Sequence, residues 1–170
     1  MTFAESVIYS DDSTWPRFLA AIRMRDNQRH TPETLERSLD STLESVDSAE
    51  ELALGVAQRA GFDDDDLMRI GMAVRESMVN AVVHGNRYNA RKKVHLKVIR
   101  TPESLTVVIG DEGDGFDPTA VPDPLAGENL LRGSGRGVML MQAFMDEFQI
   151  SKRSPQGTEV KMVKYKAKAT

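Results

Sequence analysis

Cysteine is absent from the chain, which excludes disulfides, thiolate metal sites and a cysteine nucleophile. Histidine is scarce as well, and three scattered residues make a poor zinc set. No segment approaches the ~20 apolar residues of a membrane span, and the start, "MTFAESVIYSDD", lacks the basic and apolar regions of a secretory signal. Positive charge is not in excess: a net charge of −4 and a pI near 5.4 argue against a protein that binds nucleic acid directly. The locally basic tail "KMVKYKAKA" reads as a solvated strand edge. A cytoplasmic protein that contacts neither membrane nor nucleic acid is the expectation.

The common nucleotide and metal motifs are missing too. "GSGRGV" has Val138, and "GDGFDP" has Pro118, where the dinucleotide fingerprint needs its third glycine. There is no Walker Gly-Lys-Ser/Thr. As an EF-hand loop, "DEGDGFD" places Gly113 and Gly115 at positions that should supply oxygen ligands.

With 40% hydrophobic and 28% charged residues among 170, the chain fits one compact domain, residues 31–170, behind an extension, residues 1–30. In the extension, Ser13 with Phe18, Leu19 and Ile22 suits a short helix. "TPETLERSLDST" suits an edge strand, with helix as the alternative. Helical spacing runs from Val46 to Ala60, with Gly61 as its C-cap. The next helix starts at Asp63, with Phe62 placed to staple onto Leu67 and the run "DDDD" complementing the dipole. It should end near His84, at Gly85 and Asn86.

"KKVHLKVIR" and "SLTVVIGDE" alternate as a hairpin. A long Gly- and Pro-rich loop leads into the helix "VMLMQAFMDEF", where Met139, Met141 and Met145 read as core, and "FQISKRS" and "TEVKMVKYK" supply two last strands. The order implies an α+β fold, a two-layer α/β sandwich with a mixed, mostly antiparallel sheet and helices packed on one face.

Within "RESMVNAVVHGN", Glu76, Asn80 and His84 recur every four residues and so form a polar stripe on an otherwise apolar helix. Taken in order, "VRESMVNAVVHGN", "GDEGDGFDP", "ENLLRGSGRGVMLMQAFMDEF" and "GTEV" resemble the GHKL (Bergerat-fold) ATPase superfamily. Within it they are most similar to the anti-sigma-factor serine/threonine protein kinases, over roughly residues 33–165.

The resemblance implies ATP and Mg²⁺ as cofactors, a sigma factor and an anti-anti-sigma (STAS-type) protein as partners, and a homodimer. It makes Glu76 the general base and Asn80 the magnesium ligand, a single amide oxygen suiting an ion that keeps several waters. The alternative for Glu76 is a surface pair with Arg75 or Arg87. Asp111 would take the adenine amino group, Gly113 and Gly115 would let the backbone pass close to the base, and Thr158 would complete that end with its hydroxyl. Gly133, Gly135, Arg136 and Gly137 would cradle phosphate at a helix N-terminus.

Residues 118–132 would form the ATP lid, from which Arg132 or Arg136 reaches the γ-phosphate; a solvent-exposed role is the alternative for either. His84 reads as a structural or supporting residue. "SAEEL" stands where the family often carries an arginine early in its first helix. The rival function is a non-catalytic ATP-binding module that sequesters a regulatory partner.

Overall fold

The computed structural model describes residues 32–115 and 133–167, all within the unit Pro32–Thr170. The helix expected over residues 13–22, the lid 118–132 and Arg132 lie outside the described residues. In chain order the elements are β1 (Glu33–Asp40), α1 (Glu44–Ala60), α2 (Asp64–Val79) continued by a π-helical turn (Asn80–Gly85), β2 (Lys93–Arg100), β3 (Ser104–Gly110), α3 (Gly133–Phe144), β4 (Glu147–Lys152) and β5 (Thr158–Tyr165).

The strands form one sheet in the order β1-β2-β3-β5-β4. All four described pairings are antiparallel, so the expected mixed component does not occur among them. Each pairing is reached by a hairpin or by a return through helix, and neither demands a parallel crossover. One face of the sheet carries Val94, Leu96 and Val98 from β2, Leu105, Val107 and Ile109 from β3 and Met162 from β5, all buried against the helices. The alternate positions, such as His95, Lys97 and Lys161, face the other way. "TPETLERSLDST" is the edge strand, and Leu35 and Leu39 pack against the core.

α1 buries the small residues Ala49, Ala53, Ala57 and Ala60 with Val46 and Val56. Across from them on α2 lies Gly71, where an added β-carbon would sit 3.1 Å from the Glu50 carboxylate and 3.5 Å from Leu54. Small residues on both sides let the helices approach closely. α2 opens as expected: the Asp63 carboxylate accepts from the Asp66 amide at 2.8 Å, and Phe62 and Leu67 both join the core cluster. Met141 and Met145 are buried in that cluster.

The basic tail differs from its expected setting. β5 lies between β3 and β4, not at an edge, and Lys164 is buried with its ammonium 3.5 Å from Asp66 and 3.2 Å from Asp146. A buried ammonium is tolerated because two carboxylates replace its lost hydration. Lys164 thereby ties the sheet to the first turn of α2.

Gly61 ends α1 at φ 83°, with its amide donating to Ala57 and Gln58 carbonyls and open space where a β-carbon would stand. Gly61→Ala is therefore a purely conformational change. It should lower stability by about 1 kcal/mol in chemical denaturation, and Gly61→Asn by less, because asparagine tolerates the left-handed region.

Candidate active site

A cavity of about 260 Å³ opens between the end of α2, β3, α3 and β5. Its apolar wall includes Ile109, Val138, Met141, Ile150 and Val160, and its polar groups include Asn80, His84, Asp111 and Thr158. An apolar wall with a few converging polar groups is the usual construction of a small-molecule site.

At one end, Asn80 and Glu76 meet. Asn80 Nδ2 donates to Glu76 Oε1 at 3.4 Å, which uses the amide nitrogen and leaves Asn80 Oδ1 as an available oxygen ligand. Neither Arg75 nor Arg87 pairs with Glu76: Arg75 reaches across to Asp47 at 2.8 Å and Glu50 at 2.5 Å on α1, and Arg87 stands 3.8 Å from Asp114. The surface-pair alternative for Glu76 is thus not realised. Glu76 flanks the cavity and is connected to it through Asn80, while His84 is exposed on the cavity rim.

The glycine box was expected as a loop running into a helix, but α3 already begins at Gly133. Gly137 is buried in its second turn, and a β-carbon there would overlap the Glu76 carboxylate. The glycine thus admits Glu76 against the helix backbone. Gly133 and Gly135 fall in the first turn, whose amides lack intrahelical partners. Arg136 is exposed on the same turn.

At the other end, Asp111 is 5% exposed and firmly held. Its Oδ1 accepts from the Gly113 amide at 2.8 Å and the Thr158 amide at 3.1 Å, while its own amide donates to the Thr158 carbonyl at 2.9 Å. Among the described residues no donor engages Oδ2, which remains available to a ligand amino group. Thr158 therefore grips Asp111 through its backbone and lines the cavity with its side chain. Gly115 takes φ 88°, and Gly113 packs against the Gly85 carbonyl.

Three residues in this construction lie inside the quoted boxes but have no site role in the sequence reading. Asn86, 2% exposed, donates to Ser41 Oγ at 2.8 Å and the Lys93 carbonyl at 2.9 Å and accepts from the Glu112 amide at 2.8 Å. Gly157, at φ 106°, leaves room for the Asp111 carbonyl. Glu112 accepts from the Lys93 amide at 3.0 Å and pairs with His95 at 2.8 Å. Among the described residues no group of three or more His, Asp or Glu could hold a metal.

The chain matches the histidine kinase-like ATPase domain over residues 39–164. It is 32% identical over 142 residues to the serine-protein kinase RsbW of Staphylococcus epidermidis, covering 79% of this chain and 88% of the relative. Against the serine-protein kinase RsbW of Bacillus subtilis it is 32% identical over 117 residues, 65% of this chain and 72% of the relative. The chain belongs to the GHKL serine-protein kinase family. Its fold is shared, at TM-score 0.57 and 14% identity, with a chain from the crystal structure of the SiaB-SiaC complex of Pseudomonas aeruginosa, covering 89% of this chain and 99% of that one. The cavity accordingly belongs to an ATP-using kinase domain. Among the described residues no helix is long and apolar enough to cross a membrane.

Two outcomes follow from this geometry. Gly137→Ala should displace the Glu76 carboxylate and lower kcat by about 10²-fold, with a much smaller change in ATP affinity; single-turnover kinetics and calorimetry separate the two. The Lys93 amide, and then His95, hold the Glu112 carboxyl below the usual carboxylate range. A depressed folded-state value means stability that is present above the ordinary value, about 4.3, and lost as pH falls through the lower folded one. Glu112→Gln should therefore flatten the acid limb of a stability-versus-pH curve and leave the neutral limb nearly level.

Proposed function

We propose that this kinase transfers the γ-phosphoryl group of ATP, with Mg²⁺, to a serine or threonine of an anti-anti-sigma (STAS-type) protein, and in alternation binds a sigma factor. The observation that carries the reading is the Glu76–Asn80 pair set against the backbone of α3 by Gly137. The relatives' names support phosphorylation of protein serine, and the matched span supports ATP use.

The residues divide the work as follows. Asp111 Oδ2 accepts from the adenine amino group, and Gly113 and Gly115 admit the base. The first-turn amides of Gly133 and Gly135, with the Arg136 side chain beside them, meet phosphate oxygens at the positive end of α3, and Gly137 serves the site by admitting Glu76. Asn80 Oδ1 is the one protein ligand offered to Mg²⁺, which when bound supplies charge neutralisation between the phosphates. Glu76 takes the proton of the attacking hydroxyl as its oxygen bonds to the γ-phosphorus and the bond to the β,γ-bridging oxygen breaks, releasing ADP. We further read residues 31–170 as the kinase domain, residues 1–30 as an extension, the active species as a homodimer and its place as the cytoplasm.

Glu76→Gln keeps shape and hydrogen bonding but cannot take a proton. It should slow phosphorylation by about 10²- to 10⁴-fold while ATP affinity stays within a few-fold. Asn80→Ala should remove the Mg²⁺ dependence of ATP binding. Phosphopeptide mass spectrometry of the partner and calorimetry with and without Mg²⁺ read both effects. Wild-type rates in Glu76→Gln would remove the role of base from Glu76, and wild-type protein that captures its partner without phosphorylating it would return the function to a sequestering module.

A further inference from the structure

Ser77 lies one residue beyond the base, in the middle of α2, and is 1% exposed. Its Oγ is fully buried and has no hydrogen-bond partner among the described residues. A serine within a helix ordinarily satisfies its hydroxyl on the carbonyl four residues back, here that of Ala73, and Ser77 does not. Alanine would fill the same place without stranding an oxygen, and the neighbours Ala73 and Ala81 are already alanine. Packing therefore gives no reason for the hydroxyl, and leaving it unpaired costs stability.

Ser77 is also part of the cavity wall, together with Asp111 and Thr158. On the helix it belongs to a different row from the Glu76–Asn80 pair. Ser77 and Ala81 are one turn apart on a face that leads to Gly85, and Gly85 lies directly against the Asp111 carboxylate. The unpaired hydroxyl thus sits on the base-reading side of the cavity, away from the phosphates.

We infer that Ser77 Oγ is a second hydrogen-bonding contact to the purine of the bound nucleotide, made directly or through one water, beside that of Asp111. A hydroxyl both donates and accepts, so it can serve a ring nitrogen or the remaining amino hydrogen of adenine. The inference rests on this cavity being the nucleotide site.

The test is calorimetric titration of wild type and Ser77→Ala with ATP and, separately, with tripolyphosphate, alongside the melting temperature of each protein without ligand. Ser77→Ala should weaken ATP about 3- to 10-fold, the scale of one hydrogen bond. It should leave tripolyphosphate affinity unchanged and should melt at the wild-type temperature or above, because an unpaired buried group has been removed. Equal ATP affinity in the two proteins overturns the inference. So does an equal loss for both ligands or a lower melting temperature, since either marks a hydroxyl that serves the fold. Wild-type protein that fails to bind ATP overturns the nucleotide-site reading itself, and does so before any substitution is compared.

Discussion

Asn86 spends three hydrogen bonds on three different parts of the chain: Ser41 after β1, Lys93 at the start of β2, and Glu112 just beyond β3. Because Glu112 follows Asp111, the last of these bonds places the Asp111 carboxylate relative to the end of α2. Losing any one would leave a buried polar group unsatisfied, at about 1–3 kcal/mol. Asn86 is in turn positioned by the π-helical turn, where its amide reaches back five residues to the Ala81 carbonyl at 2.7 Å. That wider turn carries the helix face past Asn80 and brings Gly85 onto Asp111. π-turns interrupting helices are frequent at functional sites, and this one shows why. Arg87 and Tyr88 follow at φ 53° and 56°, a left-handed pair of non-glycine residues that the surrounding bonds must hold in place.

The glycines around the cavity share a second constraint, which concerns distance more than flexibility. Gly137 brings the α3 backbone against the Glu76 carboxylate, and Gly157 brings the β5 turn against the Asp111 carbonyl. Each glycine lies beside one of the two acidic residues, Glu76 and Asp111, at the two ends of the site. A glycine box in such a site therefore does more than expose amides to phosphate. It also lets a second element close on the carboxylate from behind.

The parts of the fold that repeat a local pattern are legible in the sequence. α1, α2 and the β2–β3 hairpin follow from apolar spacing, and Asp63 and Gly61 mark helix ends by their own side-chain and backbone chemistry. The four ordered boxes place Glu76, Asn80, Asp111 and Thr158 in one site because each sits in a distinctive local string. What escapes is whatever depends on distant partners. Lys164 looks solvated in "KMVKYK" because Asp66 and Asp146, which neutralise it, are far away in sequence. Asn86 looks like a helix stop and Ser77 like helix filler. The importance of Asn86 lies in bonds made across the fold, and the Ser77 hydroxyl is notable for having no partner among the described residues.

These features combine in a single structural element. Glu76 and Asn80 sit on α2, and Asp111 is fixed to the end of the same helix by Gly85 and Asn86. From Glu76 to Gly85 is nine residues, roughly 13 Å of helix rise. One helix therefore sets the separation between the Glu76 and Asp111 carboxylates. Elements that cover the ligand afterwards can exclude water or engage a partner without having to define that separation. A site built this way keeps its internal geometry while the surfaces around it change.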